Sequence, residues 1–188
     1  MGRRGDEPMD IPRNTADSQL WFAIHSLLVN YWREVDFNEG RNAHNFYLAD
    51  ACFIVGDNHF NTNEGIKTFY AWRRKREKFG TRHLLSDLLV VGAGERRAKG
   101  FGVMPLHRAT GRPPFRNTVP TLIADFRCEC ALCDDDVWRF ASHVLDPLFI
   151  GDDVPLSLSV NTKHLENFKS TTPSDDAGVE TTRPPRVG

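Results

Sequence analysis

The sequence predicts an α+β fold in which helices cover one face of a mostly antiparallel sheet. Apolar residues recur at helical spacing only in the first part of the chain, and β-rich runs parted by turn residues fill most of residues 81–146. The two patterns do not alternate as they would in βαβ units, so segregated layers are expected.

The first helix rests on Leu20, Ile24, Leu27, Leu28, Tyr31 and Val35, whose spacings of three and four form one stripe. Asp36 closes that stripe, and Asn38, Glu39 and Gly40 break the chain before a short second helical piece over residues 42–48. Residues 51–55 are β-rich and end at Gly56, Asp57 and Asn58, the pattern of a strand and a turn. A third helix follows, with Asn61 and Glu64 spaced as a capping box, Ile66, Phe69 and Tyr70 as its inward stripe, and Gly80 as its left-handed stop. The basic run from Trp72 through Arg73, Arg74, Lys75 and Arg76 reads as its solvated face.

Residues 81–91 then read as a strand, Gly92, Ala93 and Gly94 as a turn, and residues 97–104 as a second strand closed by Pro105. A loop through Gly111, Arg112, Pro113 and Pro114 leads to a long strand over residues 117–132. A turn at Asp134, Asp135 and Asp136 precedes the last strand, residues 137–146. Residues 1–17 are expected to be a flexible arm, 18–160 one domain, and 161–188 a disordered tail rich in Pro, Ser, Thr and Asp.

Composition narrows the function. The 188 residues are 40% hydrophobic and 26% charged, enough apolar content for a sizeable core. A formal net charge of -1 leaves no global field to draw in nucleic acid or an anionic membrane. With no 20-residue apolar run and no apolar centre near Met1, a soluble cytoplasmic protein is expected, and Cys52, Cys128, Cys130 and Cys133 are expected to be reduced thiols. No glycine-rich loop opens a helix, so no nucleotide cofactor is expected. The spacing of the three late cysteines does not suit zinc, so no metal is expected either.

The element order, with Thr81-Arg82-His83-Leu84-Leu85-Ser86-Asp87 and Asp136-Val137-Trp138-Arg139-Phe140, resembles the SnoaL-like part of the nuclear transport factor 2-like superfamily across residues 18–160. The resemblance implies a cone in which three N-terminal helices and a curved sheet enclose a pocket. Within that superfamily the chain is similar to scytalone dehydratase and hexachlorocyclohexane dehydrochlorinase, in which an Asp closing the first helix pairs with a His on the strand after the third. Asp36 and His83 stand in those places. Val35, Val55 and Gly100 stand where scytalone dehydratase carries two tyrosines and a second histidine, which puts a tyrosine-assisted dehydration in doubt. The chain also resembles the β subunit of aromatic-ring-hydroxylating dioxygenases in Trp138-Arg139-Phe140 and in the run from Val144 to Val160. That likeness implies a support role beside an iron-bearing oxygenase α subunit.

A carboxylate that accepts from one imidazole nitrogen fixes the tautomer and frees the other nitrogen to take a proton. The expectation is therefore a cofactor-independent lyase or isomerase for a small hydrophobic cyclic or aromatic metabolite, with His83 as base and Asp36 orienting it. If the strand is regular, Asp87 shares a face with His83 and can assist. Tyr31 is a possible hydroxyl donor, as are Tyr47 and Tyr70, and Arg82 a possible anion contact. Trp21, Phe53, Phe69, Phe101, Phe126 and Trp138 are expected to wall the pocket. The alternatives are the β-type subunit and a module that only binds a small hydrophobe. The resemblance also implies a homo-oligomer.

Overall fold

A computed structural model describes residues 15–76, 79–116 and 119–151. The expected tail and most of the arm lie outside the described residues, as do residues 152–160. Helix α1, Thr15–Phe37, begins inside the segment assigned to the arm. Its stripe is buried as expected: Ile24, Leu28 and Tyr31 are fully covered, and Leu27 and Val35 nearly so. After it Gly40 turns at φ +67, with the Tyr70 ring where a Cβ would have to sit.

The second helical piece is only a 3-10 turn, Ala43–Phe46, because Tyr47 already enters a strand. β1, Tyr47–Val55, makes a hairpin with β2, Asn58–Asn61, a strand the sequence reading did not separate. Asn61 is thus strand, and Thr62 caps α2, Asn63–Arg74, by accepting from the Gly65 N–H. Gly80 does not stop the helix. It lies in β3, Phe79–His83, paired with Ala109, and the Phe115 ring occupies the place of its missing side chain.

The single strand expected over residues 81–91 is two, β3 and β4, Ser86–Gly92. Both pair with β5, Arg97–Thr110, β3 along residues 106–110 and β4 along residues 98–103. Pro105 therefore does not end a strand; it sits inside β5, and its carbonyl accepts the Leu84 N–H at the break. N–H and C=O of one strand residue point the same way, so the donor that Pro105 lacks faces the gap between β3 and β4, where no ladder bond is lost.

β6, Leu122–Leu132, and β7, Trp138–Ile150, complete a seven-stranded sheet in the order β2-β1-β7-β6-β5-β3, with β4 also on β5. Every pairing is antiparallel except β1 with β7. α1 lies against β3, β4 and β7, and α2 against β1 and β2. The result is a cone-shaped α+β fold with, among the described residues, two α-helices rather than three, on a curled mixed sheet. In β7 one extra residue, Ala141, slips the register against β6, so that Phe140 and His143 both face inward.

Candidate active site

Asp36 occupies the last turn of α1, where the helix passes over β3. Its carboxylate collects three donors from that strand. Oδ1 accepts from the Thr81 hydroxyl at 2.7 Å and lies 2.6 Å from His83 Nδ1, while Oδ2 accepts the His83 backbone N–H at 2.8 Å. A carboxylate can only accept, which assigns the proton between them to Nδ1 and leaves Nε2 as the basic nitrogen. Both side chains are buried, 7% exposed for His83 and 4% for Asp36. Trp32, one helical turn before Asp36, stacks flat on the imidazole with centroids 4.2 Å apart and planes 6° apart.

Burial alone would push the Asp36 carboxyl up, but the His83 and Thr81 hydrogen bonds and the His83 charge more than offset it and hold it below its usual value. Burial pushes His83 down; Asp36 pulls it back up, the Arg73 charge adds to the fall, and the net shift is downward. At neutral pH the imidazole is thus uncharged and able to take a proton.

His83 lines an apolar cavity with Trp32, Phe53, Phe69, Tyr70 and Met104. The cavity measures about 70 Å³, against roughly 10–15 Å³ for one water on the same measure. It admits several waters or one small ring. Of the residues named from the sequence as pocket wall, Phe53 and Phe69 line this cavity.

The other expected wall residues lie elsewhere. Trp21 is 40% exposed and fastens α1 to β4 by donating to the Leu88 carbonyl at 3.2 Å. Phe101 alternates with the inward Gly100 and Gly102 and so lies on the opposite face of β5. Phe126 is core, packed where Gly102 has no side chain, and Trp138 packs against the core from the start of β7.

The assisting residues also separate. Asp87 is exposed: β4 carries a bulge between Ser86 and Leu89, and Asp87 takes φ +51 there, which breaks the alternation that was to align it with His83. Arg82 points outward between Thr81 and His83, with its guanidinium over the exposed Phe37 ring at 4.3 Å. Tyr31 is fully buried, its hydroxyl 2.6 Å from that of Tyr70. Burial is the main cause that pushes the Tyr31 hydroxyl well above its ordinary pKa.

Sequence reasoning missed Thr81, Trp32, Arg73 and Arg108 as parts of this site. Strand alternation from His83 would have found Thr81, and helical spacing from Asp36 would have found Trp32. Arg73 is not on a solvated face. It is half-buried, lines the cavity, and lies 5.2 Å from the Phe79 centroid; Arg108 lines the same cavity and lies 4.6 Å from that ring. The cysteines form no metal centre among the described residues: Cys128 and Cys130 are buried neighbours with sulfurs 3.7 Å apart.

A cone of this topology, with a cavity between α1, α2 and the concave sheet, is the nuclear transport factor 2-like fold. Solved structures of that fold match the chain closely in shape and distantly in sequence. A candidate scytalone dehydratase from Novosphingobium aromaticivorans superposes with a TM-score of 0.65 at 15% identity, over 78% of this chain and 97% of that one. The beta subunit of a candidate aromatic-ring-hydroxylating dioxygenase from the same organism gives 0.62 at 11% identity, over 72% and 94%. ActVI-ORFA from Streptomyces coelicolor gives 0.61 at 10%, over 69% and 98%. No family model matches the sequence. No curated protein matches it either. Among the described residues, no helix is long and apolar enough to cross a membrane.

Proposed function

We propose that the protein is a cofactor-independent lyase or isomerase acting on a small cyclic or aromatic metabolite, with His83 as general base and Asp36 as its positioning residue. The observation that carries this reading is the 2.6 Å contact between His83 Nδ1 and Asp36 Oδ1, with the same imidazole lining an apolar cavity. Nε2 takes the proton from a carbon beside a carbonyl or within an activated ring, and the C–H electron pair moves into the conjugated system. In an elimination those electrons form the new double bond as the leaving group departs with its own bonding pair. In an isomerisation the imidazolium returns the proton to a second carbon. Asp36 stabilises the imidazolium in either case, and a base so placed supplies about 10²–10⁴-fold in rate.

A tyrosine-activated water has little support here. Gly100 has no room for a larger residue, because a Cβ would come within 2.8 Å of the Cys128 sulfur, and the tyrosine hydroxyls are engaged with other protein groups, Tyr31 with Tyr70 at 2.6 Å and Tyr47 with His143 Nδ1 at 3.0 Å. The test is exchange of acidic C–H protons for deuterium, followed by NMR over a panel of cyclic ketones and hydroxyketones. Wild type is expected to exchange at least one of them, with a loss of 10²-fold or more in His83→Gln. Equal exchange in the variant, or no exchange across the panel, overturns the reading.

The likeness to a dioxygenase beta subunit supports a second reading, assembly with an oxygenase α subunit and no chemistry in this chain. Its test is co-purification of an iron–sulfur oxygenase with the tagged chain from its native extract.

A further inference from the structure

Taking a proton from carbon leaves negative charge on the ligand, and in an apolar cavity that charge needs a donor at the atom that receives it. Beside His83, the polar side chains that line the cavity are those of Trp32, Tyr70, Arg73, Thr81 and Arg108. Most are committed elsewhere. Thr81 donates its hydroxyl to Asp36 at 2.7 Å, and the Tyr70 hydroxyl meets that of Tyr31 at 2.6 Å. The Trp32 indole N–H is covered by protein, and Arg108 already has an interaction partner. Arg73 differs. Its half-buried guanidinium is held by rings alone, 5.9 Å from the Tyr70 centroid and 5.2 Å from that of Phe79, with no hydrogen bond or ion pair among the described residues. Asp36 and Glu39 border the groove on its outer side, but three donors from β3 fill Asp36, and Glu39 pairs with Arg41 at 3.0 Å. Phe79, Thr81 and His83 alternate along β3 and all face the cavity, so Arg73 stands over one end of the row that carries the base at the other. Its charge reaches the imidazole, where it adds to the fall in the His83 pKa.

We infer that Arg73 is a second catalytic residue, whose guanidinium donates to a carbonyl oxygen of the ring ligand and holds the enolate formed when His83 takes the proton. The assignment rests on the proposed base. Nε2 removes the proton, the C–H electron pair enters the bond to the carbonyl carbon, and the C=O pair passes to the oxygen, which becomes the anion that Arg73 faces. The oxygen gives that pair back as the leaving group departs with its own pair, or as the imidazolium returns the proton to another carbon. Arg73 therefore acts in elimination and isomerisation alike. The ligand is accordingly a cyclic ketone, with its oxygen at the Arg73 end of the cavity and its acidic carbon at the His83 end. A donor of this kind contributes about 10²–10³-fold in rate.

The test is a pH titration of 4-nitrophenol with the full chain in excess, read at the absorbance of the phenolate, which carries the ring and the oxyanion of the enolate. The phenolate is expected to bind about 10-fold or more tightly than the phenol, so that the colour appears at lower pH than in buffer. In Arg73→Gln the preference should fall to about 3-fold or less while the neutral phenol binds as before. It should persist in His83→Gln, which excludes an ion pair with the imidazolium as its source. It should persist also in Arg74→Gln, whose guanidinium donates to the Gly40 carbonyl and does not line the cavity. Equal binding of the two forms, no binding, a preference that survives Arg73→Gln or one that is lost in His83→Gln overturns the assignment. Should Arg73→Gln not fold, the Nε–H resonance that Arg73→Lys removes decides instead: it moves on addition of the phenolate, or the assignment falls. These titrations need no turnover, so a failed phenolate preference leaves His83 standing as base, and a failed exchange assay leaves the phenolate preference readable.

Discussion

Two buried histidines pack against Trp32, and they differ in the one partner that matters. His83 stacks on the indole at 4.2 Å and has a carboxylate 2.6 Å from Nδ1. His143, on β7, meets the same indole tilted at 5.6 Å, and its Nδ1 is 3.0 Å from the Tyr47 hydroxyl. Around His143 stand the rings of Tyr31, Phe53, Phe126 and Phe140, and its Nε2 has no partner among the described residues. Burial, with a smaller push from the His83 charge, takes His143 down to about 3. In His83 the same burial is opposed by Asp36. Burial by itself makes a histidine neutral and inert; a carboxylate behind the ring and a cavity in front of it make a neutral histidine usable as a base.

The largest effect that would break this contrast is on stability against acid. An unfolded His143 takes up its proton near pH 6.5, while the folded one resists to about pH 3. Between those values the unfolded state binds more protons, so stability complete above pH 6.5 falls as the pH drops, by on the order of 5 kcal/mol. His143→Phe keeps the ring and removes the titration, so urea midpoints at pH 7, 5 and 4 should draw together in that variant. An unchanged slope would mean that His143 is not the neutral, closed ring described here.

Next comes the partner itself. Asp36→Asn is expected to cut deuterium exchange by 10²-fold or more and to move its acid limb to lower pH, because the charge that raises the His83 pKa is gone. The matching change on the other side, Tyr47→Phe, strips His143 Nδ1 of its partner. It should cost about 1–3 kcal/mol in denaturant unfolding and leave exchange within 3-fold of wild type. If the two variants exchange alike, the histidines are equivalent and the contrast fails.

These two histidines also mark where sequence reasoning reached its limit. The α1 stripe is legible because six residues at helical spacing leave no other reading, and the pairing of Asp36 with His83 followed from the resemblance. His143 was not legible as a core residue beside Phe140. Strict alternation would set the two on opposite faces, and only the extra residue at Ala141 turns both inward. A second bulge at Asp87 removed an expected partner in the same way. Pro105 hid Arg108: a proline inside a strand reads as an end unless the neighbouring strand is known to be broken opposite it, and that is a fact of pairing, not of local sequence. Arg73 was obscured by its basic neighbours, since what separates it from Arg74 and Lys75 is the Phe79 ring that the following strand brings under it.

The smallest change sharpens the contrast most. Thr81→Val keeps the shape of the side chain and removes one of three donors to Asp36, leaving the His83 ring and backbone N–H in place. The loss of a hydrogen bond to a charged group should cost about 1–2 kcal/mol. Thr81 is one of the groups holding the Asp36 carboxyl below its usual value, so in the variant that carboxyl moves back toward the ordinary carboxylate range. The stability that Asp36 contributes is present above the unfolded carboxyl's pKa and lost as the pH falls through the folded pKa, so its loss in the variant should be smaller and be complete at higher pH. Exchange should fall less than 10-fold, because two donors on opposite oxygens still fix the carboxylate against the imidazole. A loss as deep as that of Asp36→Asn would mean that Thr81, and not the strand backbone of His83, sets the orientation of Asp36, and that the dyad depends on a side-chain hydroxyl.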